Sequence, residues 1–137
     1  MSFANRDGHI WYDGGMIPWR EANTHVLTST LHYGVGVFEG VRAYKTPKGP
    51  AVFRLQEHTK RLFNSAKILG MEIPFTPNQI NAAILEVLRA NKLEEAYIRP
   101  MVFFGPESVG LRAQDLKVHV MAAAWTWGVY LGAENVE

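Results

Sequence analysis

The stretch LHYGVGVFEGVRAY, residues 31–44, combines glycines, aromatic rings, a histidine, a glutamate and an arginine. Such a mixture can form a loop that binds phosphate or a strand that displays polar groups in a binding site. Gly34, Gly36 and Gly40 have the spacing G-x-G-x-x-x-G, which is one residue longer than the dinucleotide-binding fingerprint. No strand followed by a helix surrounds them. The spacing therefore excludes the phosphate loop and favours a strand that carries functional side chains.

In the strand interpretation, alternate side chains point to opposite faces of the sheet. One face then carries Phe38, Gly40, Arg42 and Tyr44, and the other carries Val37, Glu39, Val41 and Ala43. The first face would not be fully buried, because an unpaired buried guanidinium costs several kcal/mol by order of magnitude. Two interpretations remain open on the pattern alone. The face lines a binding site, or Arg42 points to solvent beside a bulge glycine.

A second predicted strand repeats this combination of phenol and guanidinium. Tyr97 and Arg99 in AYIRP also share one face of a strand. If both strands present the same side, Phe38, Arg42, Tyr97 and Arg99 form one patch. A guanidinium pairs with both oxygens of a carboxylate, tyrosine hydroxyls add oriented donors, and aromatic rings suit an apolar side chain. The patch is therefore a candidate site for a carboxylate ligand with an apolar part.

Other residue types that could do chemistry lack the required spacing. The histidines at 9, 25, 32, 58 and 119 form no H-x-H or H-E-x-x-H pattern, which predicts no metal site. No serine lies in a G-x-S-x-G turn, so a hydrolase triad is not expected. Arg61 lies near the edge of the apolar stripe of a predicted helix. It is either an ordinary surface arginine or an anion ligand, and the sequence alone leaves both open.

The composition narrows the class of protein further. The 137 residues are 47% hydrophobic, which suits one core, and the net charge of +1 argues against a nucleic-acid partner. There is no cysteine, so disulfides and thiolate metal sites are excluded. The sequence shows no apolar run of signal-peptide or membrane-span length. We expect a soluble, cytoplasmic protein without a membrane partner.

The elements that must position these residues follow from turn signals and periodicity. The Asp13-Gly14-Gly15 turn predicts a hairpin between HIWY and MIPW, and TPKGP predicts a second turn between a strand at 35–44 and AVFRL. A helical period runs from Leu55 to Leu69 and can end at Gly70. Two long strands, AYIRPMVFF and KVHVMAAAW, follow on either side of a loop at 105–116.

A second helix has the clearest start signal in the chain. Thr76 is an N-cap, Pro77 is the first helical residue and Gln79 completes a capping box. Its apolar stripe is Ile80, Ala83, Ile84, Val87 and Leu88. The order of strands, two helices and strands predicts an α+β domain with a mostly antiparallel sheet and both helices packed on one face. It does not predict a Rossmann-like alternation.

Four runs of the sequence resemble a known family. The runs LHYGVGVFEGVRAY, YIRP, EHTKRLFNSAKIL and WGVYLG together resemble the N-terminal small domain of branched-chain amino acid aminotransferases, which are fold type IV pyridoxal-phosphate enzymes. The resemblance runs from about Ile10 to the last residue. It implies reversible transfer of an amino group between leucine, isoleucine or valine and 2-oxoglutarate. It also implies a cytoplasmic homodimer or higher homo-oligomer in branched-chain amino acid biosynthesis.

The resemblance also implies that two domains together form the active site. Residues 1–125 would be the small α+β substrate-pocket domain, and 126–137 would begin the interdomain connection. In the family the lysine that binds pyridoxal phosphate lies in the larger second domain, and none of the six lysines here matches it. We therefore expect this chain to hold half an active site, to contain no catalytic residue, and neither to retain the cofactor nor to turn over substrate alone.

Carried over residue by residue, the family pattern gives each candidate a role. Arg61 would contact the cofactor phosphate. Tyr97 would bind the α-carboxylate of the substrate, and Arg99 would receive the second carboxylate of glutamate with help from Tyr33 of a neighbouring subunit. The remaining substrate-pocket residues would be Phe38, Gly40, Arg42, Leu111, Trp127 and Tyr130. The loop that contains Leu111 is shorter than the corresponding loop of the family, and its sequence differs from the glycine-rich sequence that is usual there.

Two further interpretations remain open from the sequence. The same fold could serve a D-amino acid aminotransferase or an aminodeoxychorismate lyase. Alternatively, the chain could be a stand-alone module that binds small anions on its Arg/Tyr face. The tail AAAWTWGVYLGAENVE favours continuation into a further domain, because it places two tryptophans and a tyrosine where nothing in this chain obviously covers them.

Overall fold

A computed structural model describes residues 2–108 and 115–126. In that part of the chain seven strands form one sheet: β1 (His9–Tyr12), β2 (Gly15–Pro18), β3 (Gly36–Phe38), β4 (Val41–Thr46), β5 (Gly49–Val52), β6 (Ala96–Phe104) and β7 (Val118–Trp125). Three α-helices accompany them there: α1 (Ser29–Tyr33), α2 (Leu55–Ile68) and α3 (Pro77–Ala90). The strand order is β2-β1-β7-β6-β4-β5, β3 also pairs with β6, and every pair is antiparallel. The predicted α+β class is confirmed.

The two predicted hairpin turns are confirmed. Asp13 and Gly14 connect β1 to β2 with φ values of 47° and 105°, and positive φ at both central residues is what a type I′ turn requires. Pro47 and Lys48 connect β4 to β5, where Thr46 pairs with Gly49. The returning strand ends at Val52 rather than at Leu55, because Arg54 adopts a left-handed φ of 50° and the chain turns into α2.

The two predicted helices are confirmed and pack on one face of the sheet. Thr76 caps α3 and forms the full capping box with Gln79, and all five residues of the predicted apolar stripe are buried. The helix predicted over residues 55–69, α2, ends at Ile68, one residue before the predicted end, and Gly70 follows with a φ of 69°. Leu62, Ile84 and Ile98 are among the fully buried side chains that join the helices to the sheet.

The other face of the sheet lacks these helices and carries a smaller apolar cluster. Ile10, Trp19, Ala123 and Trp125 are buried there, and Tyr97 and Met121 pack against them. The ring of Phe3 covers part of this cluster, with its centroid 5.0 Å from that of Trp125. Two short elements were not predicted: a 3-10 helix at Trp19–Glu21 and the five-residue helix α1, which Gly34 ends in a left-handed conformation at φ 69°. This second face is where the candidate site lies.

Candidate functional site

The strand predicted at 35–44 is one run of chain with a local interruption. Phe38 of β3 pairs with Met101 and Val41 of β4 pairs with Ile98, so both strands follow β6 in the same register. Between them Glu39 donates its N–H to the carbonyl of Pro100 at 3.0 Å, but Pro100 has no N–H to return. The regular ladder therefore breaks at Glu39 and Gly40. Among the described strands β3 pairs only with β6, which leaves this segment at an exposed edge.

The predicted patch of arginine and aromatic residues is brought together by this register. The guanidinium carbon of Arg99 lies 4.1 Å from the ring centroid of Phe38. Arg99 also donates to the hydroxyl oxygen of Tyr97, from Nη2 at 2.7 Å and from Nε at 3.2 Å. An arginine held between a phenyl face and a phenol has lost much of its rotational freedom before a ligand arrives. The arrangement can present the guanidinium to a carboxylate.

Gly40 makes the close packing of Tyr97 possible. A Cβ atom at residue 40 would lie 2.6 Å from the Tyr97 hydroxyl oxygen and 3.2 Å from two of its ring carbons. The Tyr97 ring also packs against Trp125, whose centroid is 5.0 Å from that of Tyr97. The absence of a side chain at Gly40 is therefore a steric requirement of the site. It places the Tyr97 hydroxyl within reach of Arg99.

Five further residues were predicted to line the pocket, and two of them, Arg42 and Tyr33, lie in the described part of the chain. Arg42 is the cross-strand partner of Tyr97 and lies on the same face of the sheet, as the alternation predicted. Tyr33 ends α1 with about half of its surface exposed, and its ring contact among the described residues is with His32. Leu111, Trp127 and Tyr130 lie outside the described residues. The roles proposed for all of these side chains stay predictions.

Arg61 has a partner that sequence reasoning missed. Its Nε donates to Oε1 of Glu39 and its Nη2 donates to Oε2, both at 2.7 Å, which is a bidentate pair. The Nδ1 of His58 lies 2.8 Å from the same Oε2 and donates to it. Glu39 is 6% exposed, whereas the Arg61 side chain is 66% exposed. A signal for this cluster was available, since Glu39 falls on the predicted buried face and a buried carboxylate needs cationic or hydrogen-bonding partners.

The electrostatics of this cluster follow from its geometry. The hydrogen bonds from Arg61 lower the pKa of Glu39 below its usual value, burial opposes them, and His58 acts in the same direction as Arg61. Glu39 is therefore ionised at neutral pH. The carboxylate in turn raises the pKa of Arg61, which stays a cation. Glu39 and its partner Arg61 lie on the α2 side of the sheet and Arg99 lies on the opposite side, so the two arginines are on opposite faces of the sheet near residues 38–40.

A second buried polar cluster lies elsewhere in the sheet. His119 of β7 is 8% exposed, and its two ring nitrogens contact the carboxylates of Asp13 and Glu107. Burial raises the pKa of Glu107, but hydrogen bonds from His119 and from backbone N–H groups, together with the charge of His119, outweigh burial and lower it. Asp13 also accepts from the Val120 N–H at 2.8 Å. This cluster joins the β1-β2 turn to the beginning of the loop after β6.

Metal-binding clusters and membrane-spanning helices are both absent from residues 2–108 and 115–126. In that part of the chain no three side chains of the metal-binding types are grouped so that they could hold an ion. None of its helices combines the length and the apolar composition needed to cross a bilayer.

Comparisons with known proteins agree with one another. A branched-chain-amino-acid aminotransferase of Pseudomonas aeruginosa is 63% identical over 137 residues, which is all of this chain and 45% of that protein. The crystal structure of the Escherichia coli branched-chain amino acid aminotransferase superposes with a TM-score of 0.88 at 42% identity, over 96% of this chain and 44% of that one. The branched-chain aminotransferase of Thermoproteus uzoniensis, solved with norvaline, gives 0.85 at 38% identity, over 90% and 42% of the two chains.

These matches fix the family, although the chain spans less than half of the length of these relatives. The sequence model for class IV aminotransferases matches residues 36–136, which include β3 to β7, both long helices and the whole Arg99 cluster. The resemblance inferred from the sequence motifs is thereby confirmed, and the chain belongs to the class IV aminotransferase family.

Proposed function

We propose that this chain is the N-terminal, substrate-pocket domain of a branched-chain amino acid aminotransferase. The full-length protein would transfer the amino group between leucine, isoleucine or valine and 2-oxoglutarate. The similarity to branched-chain aminotransferases supports this proposal. The chain matches less than half of the length of each of these relatives. A D-amino acid aminotransferase, a lyase of the same fold and a stand-alone binding module are not favoured by any of these relatives.

The observation that carries the proposal is the Arg99 cluster. A transaminase of this kind must accept an apolar side chain and the second carboxylate of glutamate in one pocket. Phe38 offers an apolar face, while Arg99 stacks on that face and is held by the Tyr97 hydroxyl. A guanidinium beside an aromatic surface serves both ligands, because it pairs with a carboxylate and contributes its flat apolar face when no carboxylate is present. Arg42, Tyr33, Leu111, Trp127 and Tyr130 would complete this pocket.

The cofactor of the proposed enzyme is pyridoxal 5'-phosphate. When bound it supplies an electron sink and a carrier for the amino group. The residues of this chain fit one part of it, because Arg61 is a cation with an exposed guanidinium edge that suits a phosphate ester. The lysine that binds the cofactor would belong to the second domain. We expect this chain alone neither to retain pyridoxal phosphate nor to catalyse transamination.

The assembly and the cellular location belong to the same proposal. We expect a homodimer or higher homo-oligomer in which Tyr33 of one subunit reaches the site of its neighbour. The exposed phenol of Tyr33 at the end of α1 is compatible with such a contact. We also expect the small domain to end near residue 125, where β7 ends, with the interdomain connection following, and the enzyme to act in the cytoplasm.

An arginine substitution tests the proposed pocket in the full-length protein. Arg99→Ala removes the group assigned to the second carboxylate and keeps the apolar surface of Phe38. We expect kcat/KM for glutamate to fall at least tenfold more than kcat/KM for leucine, since a lost charge-assisted hydrogen bond costs roughly 1.5–3 kcal/mol. Lys45→Ala, which removes an exposed cation paired with Glu94, is the control and should change neither value. Equal losses for both substrates would remove the role assigned to Arg99.

A further inference from the structure

We propose that Glu39 is a positioning residue for cofactor binding, because its buried carboxylate holds one edge of the Arg61 guanidinium and directs the other edge toward the phosphate of pyridoxal phosphate. This inference rests on the proposed function, in which Arg61 contacts that phosphate. It assigns a role to a residue for which the sequence motifs suggested only a buried position. The contacts of Glu39 carry the argument.

Glu39 is fixed at both ends. Its backbone N–H donates to the Pro100 carbonyl at 3.0 Å, which ties it to β6. Its Oε2 accepts from two donors on α2, the His58 Nδ1 at 2.8 Å and the Arg61 Nη2 at 2.7 Å. A carboxylate with this many directed partners has one orientation. It can therefore act as a fixed point for a long, flexible side chain.

The pairing leaves a defined part of Arg61 available. Its Nε and one Nη2 hydrogen point to Glu39, and no acceptor among the described residues bonds Nη1. Nη1 carries two N–H groups and Nη2 carries one more, so three donors remain along the outer edge of the guanidinium. A phosphate with several acceptor oxygens matches that edge. The 66% exposure of the side chain shows that a ligand can reach it.

Two opposite effects of Glu39 on anion binding can be distinguished. Its negative charge offsets that of Arg61 and by itself would weaken attraction for a phosphate. Its hydrogen bonds immobilise an exposed arginine, which would otherwise lose rotational freedom on binding. Immobilisation of Arg61 has a larger effect than the negative charge of Glu39. Arg61 remains a full cation close to the ligand, and it has already lost its rotational freedom before the ligand binds. Removing Glu39 should then weaken cofactor binding rather than strengthen it.

The experiment measures the dissociation constant of pyridoxal phosphate in the full-length protein after the cofactor has been removed, followed by intrinsic tryptophan fluorescence. Glu39→Gln should raise the constant roughly twofold to tenfold, which is the range expected for releasing one immobilised side chain. Arg61→Ala should raise the dissociation constant at least as much as Glu39→Gln does. The double variant should bind pyridoxal phosphate no more weakly than Arg61→Ala alone. Pyridoxal, which lacks the phosphate, should bind equally well to the wild type and to Glu39→Gln.

A matched control is available at the start of the same helix. Glu57 pairs with Arg54 at 3.1 Å, but both side chains are well exposed and neither belongs to the proposed site. Glu57→Gln should leave both dissociation constants unchanged. Glu39→Asp is the second variant in case Glu39→Gln folds poorly, since it keeps the charge and withdraws the carboxylate from Arg61. Urea unfolding of each cofactor-free variant shows whether the fold is intact.

The outcomes separate this inference from the proposed function. If Arg61→Ala leaves the binding of pyridoxal phosphate unchanged, the role of Arg61 in the proposed function is wrong. If Arg61→Ala weakens binding while Glu39→Gln or Glu39→Asp leaves it unchanged or tightens it, the positioning role of Glu39 is wrong and the proposed function stands. Weaker binding of pyridoxal and pyridoxal phosphate alike would indicate a general disturbance and would also overturn the inference.

Discussion

Replacing Gly40 with alanine tests whether the packing of Tyr97 organises the site. The new Cβ would lie 2.6 Å from the Tyr97 hydroxyl oxygen, which must move by about 0.8 Å to reach an ordinary contact of 3.4 Å. Trp125 packs against the same ring and restricts its movement. A shift of this size is large enough to break the 2.7 Å hydrogen bond from Arg99. We therefore expect both the stability and the orientation of Arg99 to change.

The size of the effect follows from overpacking. An added methylene in a tight site costs about 1–3 kcal/mol, and a site at the sheet edge should fall near the lower limit of about 1 kcal/mol. With an m-value of about 2 kcal/mol/M, the urea midpoint should fall by roughly 0.5 M. Equilibrium unfolding followed by tryptophan fluorescence measures this shift. The Nε–H resonance of Arg99 in a ¹⁵N spectrum should also move, because its neighbour Tyr97 is displaced.

Gly15 provides the matched control, because no heavy atom lies within 4 Å of a Cβ placed there and its φ is not positive. Gly15→Ala should change the free energy of unfolding by less than about 0.5 kcal/mol. A Gly40→Ala variant as stable as Gly15→Ala, with an unmoved Arg99 resonance, would show that Gly40 does not set the position of Tyr97.

Three further predictions concern the scaffold. The pKa of Glu39 is lowered in the folded state, so its ionised carboxylate stabilises the fold above the ordinary carboxyl pKa, and this stabilisation is lost as pH falls through the lowered pKa. In urea titrations the stability advantage of wild type over Glu39→Gln should therefore be smaller at about pH 3 than at about pH 7. A difference that stays constant with pH would contradict this prediction. Thr76→Ala removes the N-cap of α3 and should cost about 0.5–2 kcal/mol in the same assay, whereas Asn78→Ala, at an exposed position inside the first turn, should cost less than about 0.5 kcal/mol. Ile84→Ala opens a cavity at a fully buried position and should cost about 2–5 kcal/mol, and a loss below about 1 kcal/mol would show that the core relaxes around it.

The sequence predicted the regular parts of the fold because their signals are local. The Thr76 capping box and the stripe of α3 require only residues within one helix. Both hairpin turns were likewise recognisable from three to five adjacent residues, Asp13-Gly14-Gly15 and TPKGP. The five-residue helix α1 was missed because a single turn has no apolar periodicity that could distinguish it from a loop.

The candidate site was predicted only where its sequence signals are local. Alternation along two strands placed Phe38, Tyr97 and Arg99 on one face, and the structure brings them into contact. Alternation could not give the cross-strand register, which depends on long-range pairing. The bond between Glu39 and Arg61 joins residues 22 positions apart, so it depends on how α2 lies across the sheet. The pattern of one helix could not supply that partner.

Transfer of the amino group can be followed with a nitrogen isotope. The full-length protein, loaded with pyridoxal phosphate, is incubated with ¹⁵N-labelled L-leucine and 2-oxoglutarate, and labelled glutamate is measured by mass spectrometry. We expect labelled L-glutamate from L-leucine, none when ¹⁵N-labelled D-alanine replaces L-leucine, and none when residues 1–137 are supplied alone. Transfer from D-alanine but not from L-leucine, or transfer by this chain alone, would contradict this expectation.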